Sequence, residues 1–416
     1  AVLIDDQVLA DIRSLGHLAP LHNPIQASGI EWCQELLPGI DHVAVFDTAF
    51  HQTMPPYAYR YALPEKLYTE DGIRRYGFHG ISHNWAALQA AAHLRRNFRE
   101  QKIVTCHLGA GASLCAIDHG RSVDTSMGFT PLEGLIMDTR CGDLDPAIVL
   151  HLMKEKDLSP DQVSDLLNLE SGLKGLSGVS GDFRELEDAA ATGDHRSVWA
   201  IQVFCYRIRK YIGAYISALG GLDALVFTGA IGEGSAWVRS LACQGLSYMG
   251  IQVNDALNKA VSSRPGKVAD ISDERSWVKI LVIPTDEGRM IARETIRTLG
   301  YQNVAQVIER QKEKTIPIEV SAHHVHLSTE DVHAPCGPDY ELTHRLDLSQ
   351  SGQFACEETL NLVGPRGRVE RVRVLGPPRS QVKVEISMTE EFKLGIIKAP
   401  IRASGDLADS SGIGLE

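Results

Sequence analysis

The sequence predicts an α/β unit over residues 1–299 followed by a small all-β unit of barrel type over residues 315–416. Three observations carry that prediction. Apolar, β-branched runs alternate with capped amphipathic segments up to Leu299, the pattern of helices packed on a largely buried sheet. Beyond Gly300 the periodicity gives way to a polar stretch ending Glu309-Arg-Gln-Lys-Glu-Lys314. From residue 315 short runs follow, punctuated by Gly-Pro pairs at 337–338, 364–365 and 376–377, which suits short strands and turns.

In the first unit the strand candidates are His42–Phe46, Ile103–His107, Ala224–Phe227 and Lys279–Ile283. Asp145-Pro146 starts a helix, with an acceptor at the cap and proline in the first turn. Ser159-Pro-Asp-Gln162 is a capping box. Residues 195–219 place Ile201, Phe204, Ile208, Ile212 and Ile216 on one face and stop at Gly220-Gly221, so they form one long helix. Residues 300–314 read as a helical or extended connector. In the second unit the runs IPIEVSA, GRVERVRVL and SQVKVEIS are strands.

Composition narrows the function. Lys and Arg number 41 against 53 Asp and Glu, a formal charge of −12 over 416 residues. A sequence-independent grip on nucleic acid needs clustered basic residues to displace counterions, so it is excluded. No apolar run approaches the ~18 residues that suggest a membrane span. The opening AVLIDDQVLADI is acidic where a signal peptide is basic. Eight scattered cysteines without C-x-x-C point to reduced thiols in a cytoplasmic protein.

Two glycine-rich segments follow strands. His107-Leu-Gly-Ala-Gly-Ala-Ser113 lies between two strands and forms a hairpin whose backbone N–H groups can face an anion. Thr228-Gly-Ala-Ile-Gly-Glu-Gly-Ser235 leads into a helix, whose N-terminus favours negative charge. Neither is a Walker A or a dinucleotide fingerprint. Asp47 ends a strand, where α/β proteins bind ligands, or else caps a helix. His79 sits in a glycine-flanked turn, as a functional group or bonded to backbone. Arg140 suits bidentate capture of carboxylate or phosphate, or forms a surface salt bridge. Glu287 follows a strand and either holds Mg²⁺ or is an ordinary acid of a first helical turn.

These segments together resemble the acetate and propionate kinase family. The stretches are Ala19–Pro24, VFDTAFHQTMP, RYGFHGISH, HLGAGAS, TPLEGLIMDTRCGD, SGVSGDFREL, VFTGAIGEGS and IPTDEGRMIA, in the family's order. The resemblance implies the two-lobed fold of actin, the heat-shock chaperones and the sugar kinases, with ATP or ADP between the lobes. It implies that His79 stabilises the transferring phosphoryl group, that Arg140 holds the carboxylate, and that His22 supports the phosphoryl site. Asp47 and Glu287 would organise Mg²⁺. His107, Gly109 and Gly111 would line the phosphate loop, while Asp182, Phe183, Arg184 and Gly232 would face the nucleotide. Leu21, Phe78 and Pro131 would form the pocket for the methyl end of acetate or propionate, and a homodimer would form through this unit. Two departures are Ala110, where the family commonly has Asn, and Asp286-Glu287-Gly288 in place of Asn-Glu-Glu. By this alignment residues 1–50 are the remainder of a first lobe and 51–299 the nucleotide-binding lobe with its C-terminal helix. The expectation is a kinase lacking its opening quarter.

Five of the 16 histidines fall between His323 and His344. In the H-x-H of the second unit, His324 and His326 share one strand face and His323 the other. That pair suits Zn²⁺, or is simply a polar strand face. Glu385 is a third donor in an alternating strand, and Arg379 a phosphate-binding candidate. The region resembles the phosphotransacylases of propanediol-utilisation type, carried by Val320–Ser328, Asp347–Ala355, Glu357–Thr359, Arg373–Pro377, Val384–Ile386 and Lys398–Asp406. The resemblance implies His324, His326 and Glu385 as zinc ligands, Arg379 at phosphate, and coenzyme A as co-substrate. It makes residues 315–416 the first of two barrels. His323 stands where the family usually has Arg. The reading is a truncated bifunctional enzyme joining acyl-CoA, acyl phosphate and ATP chemistry; the alternative is a non-catalytic nucleotide-binding or scaffold fragment.

Overall fold

The structure is a computed structural model that describes residues 1–17, 23–261, 266–310, 324–336, 340–348, 352–386, 394 and 414–415. Internal contacts divide the chain into two units, Ala1–Ala305 and Gln306–Glu416.

In the first unit, β1 (Val2–Leu3) pairs antiparallel with β2 (Val43–Ala44) as a separate ribbon. Only these two residues of the candidate run 42–46 form a strand. The main sheet comprises β3 (Lys102–Leu108), β4 (Ala112–Asp118), β5 (Arg121–Thr125), β6 (Ala224–Thr228), β7 (Ala269–Asp270) and β8 (Lys279–Val282). Its order is β5-β4-β3-β6-β8-β7, with β3, β6 and β8 parallel at the centre.

Side-chain alternation builds a core on each face of this sheet. Val104, Cys106, Leu225 and Phe227 join Ile201, Phe204, Ile208 and Ile212 of the long helix His195–Leu219. Ile103, Ala224 and Val226 point the other way, onto Ala86, Ala87 and Ala90 of the helix Gly80–Leu94. Burial on both faces explains why the central strands are apolar without interruption. The expected caps form. Asp145 accepts from the Ala147 N–H at 2.9 Å, Ser159 and Gln162 cap reciprocally, and Gly220 closes the long helix at φ 64°. The last helix of the unit, Glu287–Arg310, continues through residues expected to form the connector.

The second unit is a six-stranded sheet of β9 (His324–Ser328), β10 (His344–Asp347), β11 (Phe354–Gly364), β12 (Gly367–Arg379), β13 (Lys383–Glu385) and β14 (Gly414–Leu415). Its order is β10-β11-β12-β9-β13, with β14 on β11 and β12 parallel to β9. A helix, Thr329–Cys336, follows β9 and departs from the all-β expectation. Val325, Leu327, Cys356, Leu362, Val372 and Val374 form its core. The strand expected at IPIEVSA lies outside the described residues.

Candidate active site

The carboxyl ends of β3, β6 and β8 lie side by side, since His107 pairs with Thr228 and Phe227 with Val282. They deliver His107, the turn 109–111, the helix Gly229–Gly234 and the segment 284–287 to one sheet edge. In a parallel sheet this edge collects ligands.

Asp47 anchors the site. Its Oδ2 accepts from the His79 N–H at 2.5 Å and its Oδ1 from the Ile81 N–H at 3.3 Å. Its carbonyl oxygen accepts from the Gly80 N–H at 3.0 Å. The carboxylate therefore caps the helix Gly80–Leu94 from a distant part of the chain. The cap holds His79 in a left-handed conformation, φ 57°, uncommon for a residue with a side chain. The His79 ring hydrogen-bonds the Ser113 hydroxyl through Nδ1 at 2.9 Å and stacks on His107 with centroids 4.3 Å apart.

Gly111 explains the open side of that ring. A Cβ there would lie 3.1 Å from His79 Nε2 and 3.3 Å from Arg140 Nη2, so the missing side chain leaves both groups facing one gap. Arg140 Nη1 donates to the Pro131 carbonyl oxygen at 2.9 Å. Its loop is tied to the glycine turn by the Asp138 N–H on the Ala110 carbonyl oxygen, 3.2 Å. Arg140 makes no ion pair among the described residues, so the salt-bridge alternative is set aside. Burial lowers its pKa, against the Asp138 charge. Gly109 donates its N–H to the Gly111 carbonyl oxygen at 3.0 Å, which closes the turn. The cradle for an anion is therefore smaller than the glycine count suggests.

Four histidines crowd this edge, and burial discharges each. His79 and His51 are pushed down to about 4 and His107 to about 3, while His83 falls well below its ordinary value. For His79 the Arg140 charge adds to burial. Glu287 opens its helix, and its carboxyl is raised by burial and then by the Asp47 charge. Two carboxylates near one another, neither paired with a basic side chain among the described residues, suit a divalent cation.

Other expected site residues scatter. Asp182 caps the helix Phe183–Ala191 through the Arg184 N–H at 2.8 Å, and its charge raises Asp138 after burial does. Phe183 opens that helix. It is buried in the core against Phe204, centroids 5.8 Å apart, while Asp182 and Arg184 expose their side chains. Gly232 lies inside the helix Gly229–Gly234, buried against the strands and not in an open loop. The Phe78 carbonyl oxygen receives the His51 Nε2–H at 3.0 Å. Leu21 and His22 lie outside the described residues.

The sequence reading missed three participants. His51 and His83 are fully buried, and His83 bridges the Thr105 and Ser113 hydroxyls at 2.7 and 2.8 Å. The signal was His79 and His83 one helical turn apart, with Thr and Ser at inward strand positions opposite. Glu233 Oε1 accepts from the Gly229 and Thr285 N–H groups at 3.0 Å each and ties two of the edge segments together.

In the second unit, Glu385 pairs in register with His324 and Lys383 with His326. His324 Nε2 lies 3.5 Å from Glu385 Oε2, and the two histidine rings are 5.2 Å apart. His326 is buried with Nδ1 unpartnered among the described residues, and burial and then Arg379 push its pKa down to about 4. The Lys383 ammonium occupies the other Glu385 oxygen. Among the described residues no group of three or more His, Cys, Asp or Glu is arranged to hold a metal ion.

Residues 1–293 match the acetokinase family and residues 317–416 match phosphate propanoyltransferase. The acetate kinase of Heliobacterium modesticaldum is 54% identical over 299 residues, covering 72% of this chain and 74% of that protein. That of Caldicellulosiruptor bescii is 53% identical over 300 residues, covering 72% and 75%. Among crystal structures, Porphyromonas gingivalis acetate kinase aligns with a TM-score of 0.69 at 45% identity, covering 72% of this chain and 74% of that one. A propionate kinase from Francisella tularensis aligns at 0.66 and 41%, covering 70% and 74%. The acetate kinase neighbours carry the actin- and sugar-kinase-like fold. The match spans the whole histidine-lined edge, and the chain belongs to the acetokinase family, with a phosphate propanoyltransferase segment following on the same polypeptide.

Proposed function

We propose that this protein is a bifunctional acyl-phosphate enzyme. Its acetokinase unit interconverts acyl phosphate plus ADP with carboxylate plus ATP. Its second unit belongs to chemistry that interconverts acyl-CoA plus phosphate with acyl phosphate plus CoA. Acyl phosphates hydrolyse readily, so tethering the two steps raises the local concentration of the shared intermediate. The observation that carries the reading is the gap between His79 and Arg140 kept open by Gly111. A scaffold fragment has no need of such a gap and is not favoured.

Phosphoryl transfer is positioning plus neutralisation of charge on the equatorial oxygens. The neutral His79 would donate to one of these oxygens, and Arg140 would hold the carboxylate that leaves as the phosphorus–oxygen bond breaks. Pro131 and Phe78 would wall the acyl end. A pocket has only ~1–3 kcal/mol with which to separate acetate from propionate by one methylene, so the acid is written as a short-chain carboxylate. Asp47 and Glu287 would hold Mg²⁺, which neutralises nucleotide phosphate charge when bound. Arg184 and the Gly232 helix would serve the nucleotide. Homodimerisation and a cytoplasmic location belong to the same reading by resemblance; no described helix is long and apolar enough to cross a membrane. The full chain supplied with acetyl-CoA, phosphate and Mg·ADP is expected to form ATP. No ATP from this mixture or from acetyl phosphate would overturn the proposal.

For the second unit we propose Zn²⁺ on His324, His326 and Glu385, with Arg379 at phosphate. The buried His326 Nδ1, unpartnered among the described residues, and the nearness of His324 to Glu385 support it. Lys383 must then yield its hold on Glu385. The purified chain is expected to carry zinc that His324→Ala and Glu385→Ala each reduce severalfold by elemental analysis. Equal zinc content in all three proteins would reject these ligands.

A further inference from the structure

Behind His79 lies a line of buried polar groups. Thr105, His83 and Ser113 are fully buried. Thr105 Oγ1 lies 2.7 Å from His83 Nδ1, His83 Nε2 lies 2.8 Å from Ser113 Oγ, and Ser113 Oγ lies 2.9 Å from His79 Nδ1. Every proton in this line can point either toward His79 or away from it.

The far end fixes the direction. Among the described residues the Thr105 hydroxyl has a single hydrogen-bond partner, His83 Nδ1. If that hydroxyl accepted from Nδ1–H, its own proton would be stranded in a dry interior. If it donates, only lone pairs go unused, which is the cheaper outcome. His83 Nδ1 therefore accepts. A neutral imidazole has one N–H, so His83 carries it on Nε2 and donates it to Ser113 Oγ. The Ser113 proton then goes to His79 Nδ1. His79 in turn must carry its proton on Nε2, the nitrogen that has no partner among the described residues and borders the Gly111 and Arg140 gap.

We propose that Thr105, His83 and Ser113 form a one-way hydrogen-bond relay that holds His79 as its Nε2–H tautomer, making all three positioning residues for phosphoryl transfer. The reverse orientation would aim a lone pair at phosphoryl oxygens. The neighbouring histidines show that this selection is local. His51 is fixed by a carbonyl, since Nε2 must donate to Phe78, and its Nδ1 then takes the Ser122 hydroxyl at 2.8 Å. His107 meets Ser82 at 2.7 Å, and Ser82 meets the exposed Thr285 at 3.1 Å, so nothing fixes that line. The kinetic role rests on the reading that His79 reaches the transferring group; the tautomer does not.

The test uses the full chain labelled with ¹⁵N-histidine, with the His79 and His83 signals assigned by their loss in His79→Asn and His83→Asn. Both rings are expected as Nε2–H tautomers in the unmodified protein. In Thr105→Val the His83 and His79 signals should move toward mixed tautomers, and Thr105→Ser should restore them. Ser113→Ala should lower kcat with acetyl phosphate and Mg·ADP about tenfold, the worth of one ordinary hydrogen bond, with KM nearly unchanged. An Nδ1–H tautomer at either ring of the unmodified protein, or a His79 signal unmoved by Thr105→Val, overturns the relay. Correct tautomers with an unchanged kcat in Ser113→Ala would overturn its catalytic role while leaving the relay standing. Absence of all kinase activity would strike the proposed function instead, and the tautomer spectra would still decide the relay.

Discussion

Arg140→Ala lowers kcat/KM for ATP formation from acyl phosphate about thousand-fold, the upper range for losing one preorganised electrostatic contact. The guanidinium is held ready. Nη1 is fixed on the Pro131 carbonyl oxygen, the loop is tied to the glycine turn, and Nη2 is left toward the gap beside His79. It forms no ion pair among the described residues, so its charge is available to a substrate. Arg140→Lys should recover little, because an ammonium cannot satisfy Pro131 and a ligand from one rigid fork. The stability cost is confined to one hydrogen bond, about 1 kcal/mol. Steady-state kinetics with varied acyl phosphate, beside a thermal melt of each variant, checks this. A fall of less than tenfold would place the carboxylate elsewhere.

Arg239→Ala is expected to destabilise the first unit by about 4 kcal/mol, from stranded buried acceptors together with the cavity left behind. Arg239 is fully buried. Its Nε donates to Asn258 Oδ1 at 2.6 Å and its Nη2 to the Asn258 carbonyl oxygen at 3.0 Å. Its Nη1 donates to the Gly232 and Glu233 carbonyl oxygens at 2.8 and 2.9 Å. Burial pushes its pKa down to about 10, so it remains charged at neutral pH. Truncation strands four acceptors and opens a cavity beneath the helix Gly229–Gly234. A calorimetric scan of the full chain should show the first unit melting about 10 °C lower. A shift under 2 °C would show that water replaces the guanidinium without penalty.

Much of this was legible beforehand, for identifiable reasons. The central strands announced themselves because a sheet covered on both faces admits few polar residues. The Ser159 box and the Gly220 stop were local chemistry and formed as written. The strand at 42–46 shrank to two residues because Asp47 and its neighbours serve the cap of a helix far along the chain, a non-local demand. Asp47 itself resolved toward the cap: the strand stops at Ala44, and the carboxylate caps the helix Gly80–Leu94. The Phe183 ring lies in the core because the helix capped by Asp182 turns that position onto Phe204. His51 and His83 went unnoticed since buried histidines look like any other polar interruption until Ser122, Ser113 and Thr105 arrive from other strands to satisfy them.

The discharged histidines also shape how the first unit comes apart. An unfolded histidine titrates near 6.5, whereas His51 in the fold takes a proton only near 4. Between those values the unfolded chain holds a proton that the folded chain refuses. Stability therefore falls as pH drops from 6.5 to 4 and levels off below, by ~3 kcal/mol for His51 alone. His79, His83 and His107 act with the same sign. The proton thus behaves as a ligand of the unfolded chain, drawing it from the folded population by mass action.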